Sequence, residues 1–81
     1  MDFKKDAHII LPNGKDIGNL NRFVLDPSTR QVTDIIFERG LLNSQEFVIP
    51  IDLVDHTSED TVFLKESVHD PDQFIPFVNE H

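Results

Sequence analysis

Ile17-Gly-Asn-Leu-Asn-Arg-Phe-Val-Leu25, then Asp26-Pro-Ser-Thr-Arg-Gln31, then Val32-Thr-Asp-Ile-Ile-Phe-Glu38 is the stretch whose reading decides the fold. Its flanks are rich in Phe, Val, Ile and Thr, side chains that suit a pleated and half-buried surface. Between them Asp-Pro-Ser supplies a turn in which proline pre-sets φ. The stretch reads as a long β-hairpin. Ile17 and Leu20 stand three apart, whereas Phe23 and Leu25 return to the two-residue period of a strand. One bulge between Gly18 and Phe23 accounts for both, and a glycine inside a strand often marks such a bend. Close approach of a ligand to the backbone is the functional alternative for Gly18. Ile35-Ile36-Phe37 is apolar on both faces, which implies burial on two sides, as where a sheet curls over itself or meets a partner.

Outward from the hairpin, the same reading extends in both directions. Ala7 to Leu11 is a first strand, and Pro12-Asn13-Gly14-Lys15 predicts a type I′ turn with Asn13 and Gly14 at φ > 0. Downstream, Gly40 to Gln45 is a loop with Leu41 and Leu42 at its tip, either tucked over a barrel end or left for a partner. Glu46 to Ile51 is a strand in which Pro50, having no N–H, belongs at an end, an edge or a bulge. Asp52 to Thr57 reads as one helical turn leading into a short strand. Ser58-Glu59-Asp60 is a turn, and Thr61 to Leu64 a further strand. Asp70-Pro71-Asp72-Gln73 has a cap residue, proline at the first helical position and an acceptor at the third. It predicts one helical turn ending before Pro76. The fold class expected is all-β, a small closed or partly open barrel of about five to six antiparallel strands, with a short helical turn in a C-terminal extension. The boundaries are a lead-in at 1–5, a barrel at 6–65 and an acidic, aromatic extension at 66–81.

Composition narrows the function. The chain has 81 residues, no cysteine, seven Phe, and seven Lys and Arg against 15 Asp and Glu, a net charge of −8. Without thiols there is neither a disulfide framework nor a thiolate metal site. The scattered cations form no basic face that could displace counterions from nucleic acid. The acidity also disfavours an anionic membrane surface, and a basic protein is the partner it suits. No apolar segment follows Met1-Asp-Phe-Lys-Lys-Asp6, and Ile9 to Pro12 falls far short of the ~20 residues of a membrane helix. The location expected is cytoplasmic, with no membrane insertion.

Five segments in order carry a family resemblance: Gly14 to Gly18, Val24-Leu-Asp26, Gln31 to Ile36, Val48-Ile-Pro-Ile-Asp-Leu-Val54 and Thr61-Val-Phe-Leu64. Together they resemble a PRC-barrel domain over roughly residues 6–65. That family includes the cytoplasmic part of the photosynthetic reaction-centre H subunit and the C-terminal half of a ribosome maturation factor. It also contains stand-alone proteins, some continuing beyond the barrel, and these the chain resembles most. The resemblance implies folding roles for Gly18, Asp26 and Pro50, no shared catalytic set, and action by docking onto other macromolecules.

Chemistry-bearing residues are sparse. If a helical turn ran through them, Asp52, Asp55 and His56 would share one side and could hold a divalent ion through oxygens and one imidazole. Glu38 and Glu46 face each other if the third and fourth strands pair. No glycine-rich phosphate loop and no nucleophile elbow is present. The expectation is therefore a non-catalytic interaction or assembly module without a cofactor, self-associating as a homodimer, with Phe37, Leu41, Leu42, Phe74 and Phe77 as candidate contacts. A small acidic metal-binding domain using Asp52, Asp55 and His56 is the alternative. An accessory subunit at the cytoplasmic face of a membrane complex is another.

Overall fold

A computed structural model describes residues 3–40 and 44–77. The chain runs through β1 (His8–Ile10), β2 (Asp16–Leu25), β3 (Val32–Arg39), β4 (Gln45–Pro50), β5 (Val54–Ser58), β6 (Thr61–Leu64) and β7 (Ile75–Pro76). Single 3₁₀ turns at Ile51–Leu53 and Pro71–Gln73 interrupt it. All the strands join one sheet in the order β5-β6-β1-β2-β3-β4-β7, whose ends do not pair with each other. The architecture is an all-β, partly open barrel.

The β2–β3 hairpin holds its centre. Asp26 Oδ1 accepts from Ser28 N at 2.7 Å, Asp26 O accepts from Arg30 N at 2.7 Å, and Arg30 closes the loop at φ 60. The register skips Asn21, since Leu20 faces Phe37 and Arg22 faces Ile36, so the expected bulge is present. A second falls at Ile17, between the pairs Ile9–Gly18 and Ile10–Asp16. Gly18 itself adopts φ 153, and a Cβ there would overlap the Glu38 carbonyl oxygen and lie 2.9 Å from Phe37 Cδ2. The close approach is thus made by β3 of the same chain. A side chain at this position would prise the two strands apart.

The β1–β2 connection differs from the type I′ expectation. Gly14 N donates to Leu11 O at 2.8 Å, which makes Pro12 and Asn13 the central residues, and Gly14 follows at φ 88. Proline's fixed negative φ suits the first central position of an ordinary turn, so the turn forms one residue earlier, and Gly14 at positive φ completes a three-residue loop.

Two further features depart from the sequence reading. The β1–β6 pairing is parallel, with His8 opposite Thr61 and Ile10 opposite Phe63. The 3₁₀ turn at Ile51–Leu53 carries the β5–β6 hairpin to the far side of the sheet, where β6 runs alongside β1 in the same direction. The seventh strand, β7, pairs with β4 through Phe47–Pro76 and Val48–Ile75. The segment before it is anchored to the barrel: Val68 is fully buried, and Phe74 is 6% exposed. Asp70 caps the intervening turn, accepting from Asp72 N at 2.9 Å, while Gln73 Oε1 accepts from Asp70 N at 3.4 Å. The core of Ile9, Leu20, Ile35, Phe37, Ile49 and Val62 therefore continues through Val68 to Phe74. Among the described residues no helix is long and apolar enough to cross a membrane.

Candidate interaction surface

Cross-strand rows define the two faces of the sheet, because directly opposed residues project to the same side. Leu20, Phe37, Phe47 and Pro76 form one row, and Phe23, Ile35 and Ile49 another; Leu20, Phe37, Ile35 and Ile49 lie in the core, Phe47 packs against it, and Phe23 and Pro76 at the row ends are exposed. The alternate rows face out. The middle one runs Arg22, Ile36, Val48, Ile75 across β2, β3, β4 and β7. Beside it lie Asn19, Glu38 and Glu46 on one flank and Val24, Asp34 and Pro50 on the other.

The middle row is apolar where an outer face is ordinarily polar. Ile36 is buried yet stands outside the core cluster, so it is covered from the solvent side. Val48 is half-buried, and Ile75 at the row's end is 72% exposed. Arg22 is held down at the rim: its Nη2 donates to Glu46 Oε1 at 2.8 Å and its guanidinium lies 4.9 Å from the Phe77 ring centroid. Asn21 Nδ2 donates to Glu46 Oε2 at 2.6 Å, and Phe77 N to Glu46 O at 2.8 Å. Glu46 thus fastens the bulge of β2 and the chain after β7 to one point. An open groove of about 250 Å³ continues the face, lined by Asp34, Val48, Pro50, Leu53, Gln73, Ile75 and an edge of the otherwise buried Phe74.

The residues expected to make contacts fall in several places. Phe37 is fully buried and touches Phe74 edge-on at 5.7 Å between centroids, so both are core residues of this fold. Phe77 is half-buried under Arg22. Leu41 and Leu42 lie outside the described residues. From sequence Ile75 is legible only as an apolar residue of the C-terminal extension, to be packed on the barrel or turned to a neighbour, and Val48 and Arg22 are not legible as members of the outer row. Its one available signal was the triplet Ile35-Ile36-Phe37, which cannot bury all three side chains on a single face.

The other candidate groups are separated or internally paired. Asp52 sits in the 3₁₀ turn, and a strand begins at Val54 before a helical face could form. His56 Nδ1 lies 2.6 Å from Asp55 Oδ2, and its ring stacks on Phe63 with centroids 4.5 Å apart. Among the described residues no group of three His, Asp or Glu side chains is placed to hold a metal ion. Glu38 and Glu46 do face each other across β3 and β4. Each has its own partner, however: Ser44 Oγ donates to Glu38 Oε1 at 2.9 Å, and Arg22 and Asn21 serve Glu46. No side-chain nitrogen or oxygen among the described residues is buried without a hydrogen-bond partner. The arrangement offers an apolar strip whose rim holds one ion pair, Arg22 with Glu46, beside the carboxylates of Glu38 and Asp34, and such a strip is suited to excluding water against another surface. Compared with family models and with curated proteins, the chain matches none.

Proposed function

We propose that this chain is a non-catalytic protein-interaction module of the PRC-barrel kind, working in the cytoplasm and assembling with a second copy of itself. The observation that carries the reading is Ile75, 72% exposed at the end of the outer row formed with Arg22, Ile36 and Val48. An isolated exposed isoleucine is ordinary, but one that extends a half-covered apolar row on an edge strand gives that row somewhere to continue. A two-fold contact places the same strip against itself. With Glu46 matched by Arg22, the centre of the strip brings no uncompensated charge to such a contact, although the chain as a whole carries −8. That same acidity counts against nucleic acid as the partner.

Mass in solution tests this by light scattering on the whole chain and on Ile75→Glu. The expected result is a dimer for the first and a monomer for the second, with equal melting temperatures at a dilution where both are monomeric, since dimerisation itself stabilises the folded chain. A whole chain that stays monomeric at high micromolar concentration sinks self-association. Shortening the chain after Glu66 is a poorer probe, because it also strips Val68 and Phe74 from the core.

A further inference from the structure

β5 is the outermost strand at the opposite end of the sheet, and β6 is its partner. The direction of its remaining backbone groups follows from the other neighbour of β6. His8 N donates to Asp60 O at 2.7 Å, and His8 stands opposite Thr61 in the parallel β1–β6 pairing. In a parallel ladder one residue bonds to those before and after its partner, so Val62 turns its N–H and C=O toward β1. Thr57 stands opposite Val62 and finds no ladder partner there. Its N–H and C=O therefore point outward, past the edge of the sheet.

The side chains beside this edge are apolar above and acidic around. Ile10, Phe63 and His56 form a cross-strand row on the outer face, with His56 stacked on Phe63 at an interplanar angle of 17°. An open groove of about 530 Å³ runs along that row, lined by Ile10, His56, Phe63, the acids Asp55 and Glu66, and the cation Lys65, among others. Asp52, Asp55, Glu59 and Asp60 surround the strand in sequence, and all are exposed.

We propose that the β5 edge accepts an extended, basic segment of a partner protein as an added strand. Main-chain bonds form at Thr57, alternate apolar side chains of the segment rest in the groove beside His56 and Phe63, and its cations face Asp55. Charge selects this occupant over a second copy of the chain. Antiparallel pairing of β5 with itself would set Asp55 and its acidic neighbours against their own copies, and like charges across strands repel. Asp55 is also the extra residue of a bulge between Val54 and His56. The bulge disturbs pairing at that one position with any strand, whereas the charge discourages only partners of like sign and favours a strand of opposite charge. Adding a strand to an exposed edge is an established mode of peptide recognition.

The test uses acetylated Lys-Val-Lys-Val-Lys-Val amide as probe, with the Glu-Val counterpart as control, followed by amide NMR on the whole chain. The lysine peptide is expected to bind, to shift residues 54–58 and 63–66, and to slow hydrogen exchange at Thr57; the glutamate peptide is expected to do none of these. Thr57→Pro removes the outward donor without removing a ladder bond and should weaken binding about tenfold, as loss of one backbone hydrogen bond implies. Asp55→Lys should weaken it comparably and serves if the proline variant fails to fold. Absence of binding, unchanged affinity in both variants, or shifts centred on Ile75 overturns the proposal. So does protection of Thr57 by the chain alone at rising concentration, which would make a second copy the occupant. Ile75→Glu should leave peptide binding intact, which keeps this result independent of self-association through the other face.

Discussion

The β2–β3 hairpin and the segment from Val68 to Phe77 contribute to the same core by opposite routes. The hairpin is built from contacts close in sequence: an Asp26 side chain that accepts from Ser28, a residue at positive φ, and two strands that meet at once. The C-terminal segment has only a capped 3₁₀ turn of its own, and its two-residue strand exists because β4 is there to pair with. Yet it delivers Val68 and Phe74 into the core and Ile75 and Phe77 onto the outer face. The difference separates what makes a segment fold from what makes it matter to the assembled barrel. Local turn chemistry governs the first, and the volume delivered to the core governs the second.

The sharpest break in that comparison comes at Gly18. Alanine there combines backbone strain of about 1–2 kcal/mol with overpacking of about 1–3 kcal/mol against β3. Because the obstacle is the Glu38 carbonyl rather than a flexible side chain, it cannot swing aside. Gly18→Ala is therefore expected to lose roughly 4 kcal/mol, most of the stability of a small domain, and urea denaturation followed by circular dichroism measures it. A variant with an unchanged midpoint would mean that the two strands lie further apart than described.

Next comes Phe74→Ala, which asks whether the C-terminal segment is structural. Loss of a buried phenylalanine costs about 3–5 kcal/mol in a rigid core, and a site near a chain end that can partly collapse belongs at the lower limit. The edge-on contact with Phe37 is lost with it. A free arm would tolerate the change without any shift in melting temperature, so the same experiment separates the two descriptions. Asp70→Ala is milder. It removes the acceptor for Asp72 N and half of the capping box with Gln73, for an expected loss of about 1 kcal/mol.

How far the sequence foretells this molecule depends on the same distinction. The Asn21 bulge is visible in the spacing of Ile17, Leu20, Phe23 and Leu25, since a strand of constant period cannot set those positions on one face, although only Ile17 and Leu20 are buried. Burial of strand three on both faces follows from Ile35-Ile36-Phe37. The parallel β1–β6 pairing is invisible, because no local feature of Thr61 to Leu64 states which distant strand it will join. β7 is hidden for a related reason: Ile75-Pro76 is too short to show a period, and proline counts against a strand unless it lies at an edge. The metal reading required a helix from Asp52 to His56, and the β-branched Val54 instead opens a strand. Phe37 and Phe74 read as contacts from sequence because residue type says that an aromatic ring is buried, not by what. The Arg22–Phe77 stack and the outer row needed the register itself.

Ile75→Glu is the smallest expected effect on stability and the most informative about the comparison. Phe74 and Ile75 are adjacent, one 6% and the other 72% exposed, because a strand sends successive side chains to opposite faces. Exchanging the exposed one for glutamate should move stability by no more than about 0.5 kcal/mol, as for most surface changes. Its effect should fall on association, by placing a desolvated charge in the middle of a two-fold apolar contact. Equal melting temperatures at a dilution where both chains are monomeric, with unequal masses at higher concentration, would show that one short segment closes the core with one residue and joins a second copy with the next. If Ile75→Glu instead melts the fold while leaving the mass unchanged, the outer row is an internal seam of the barrel. The interaction surface would then have to lie at the acidic β5 edge.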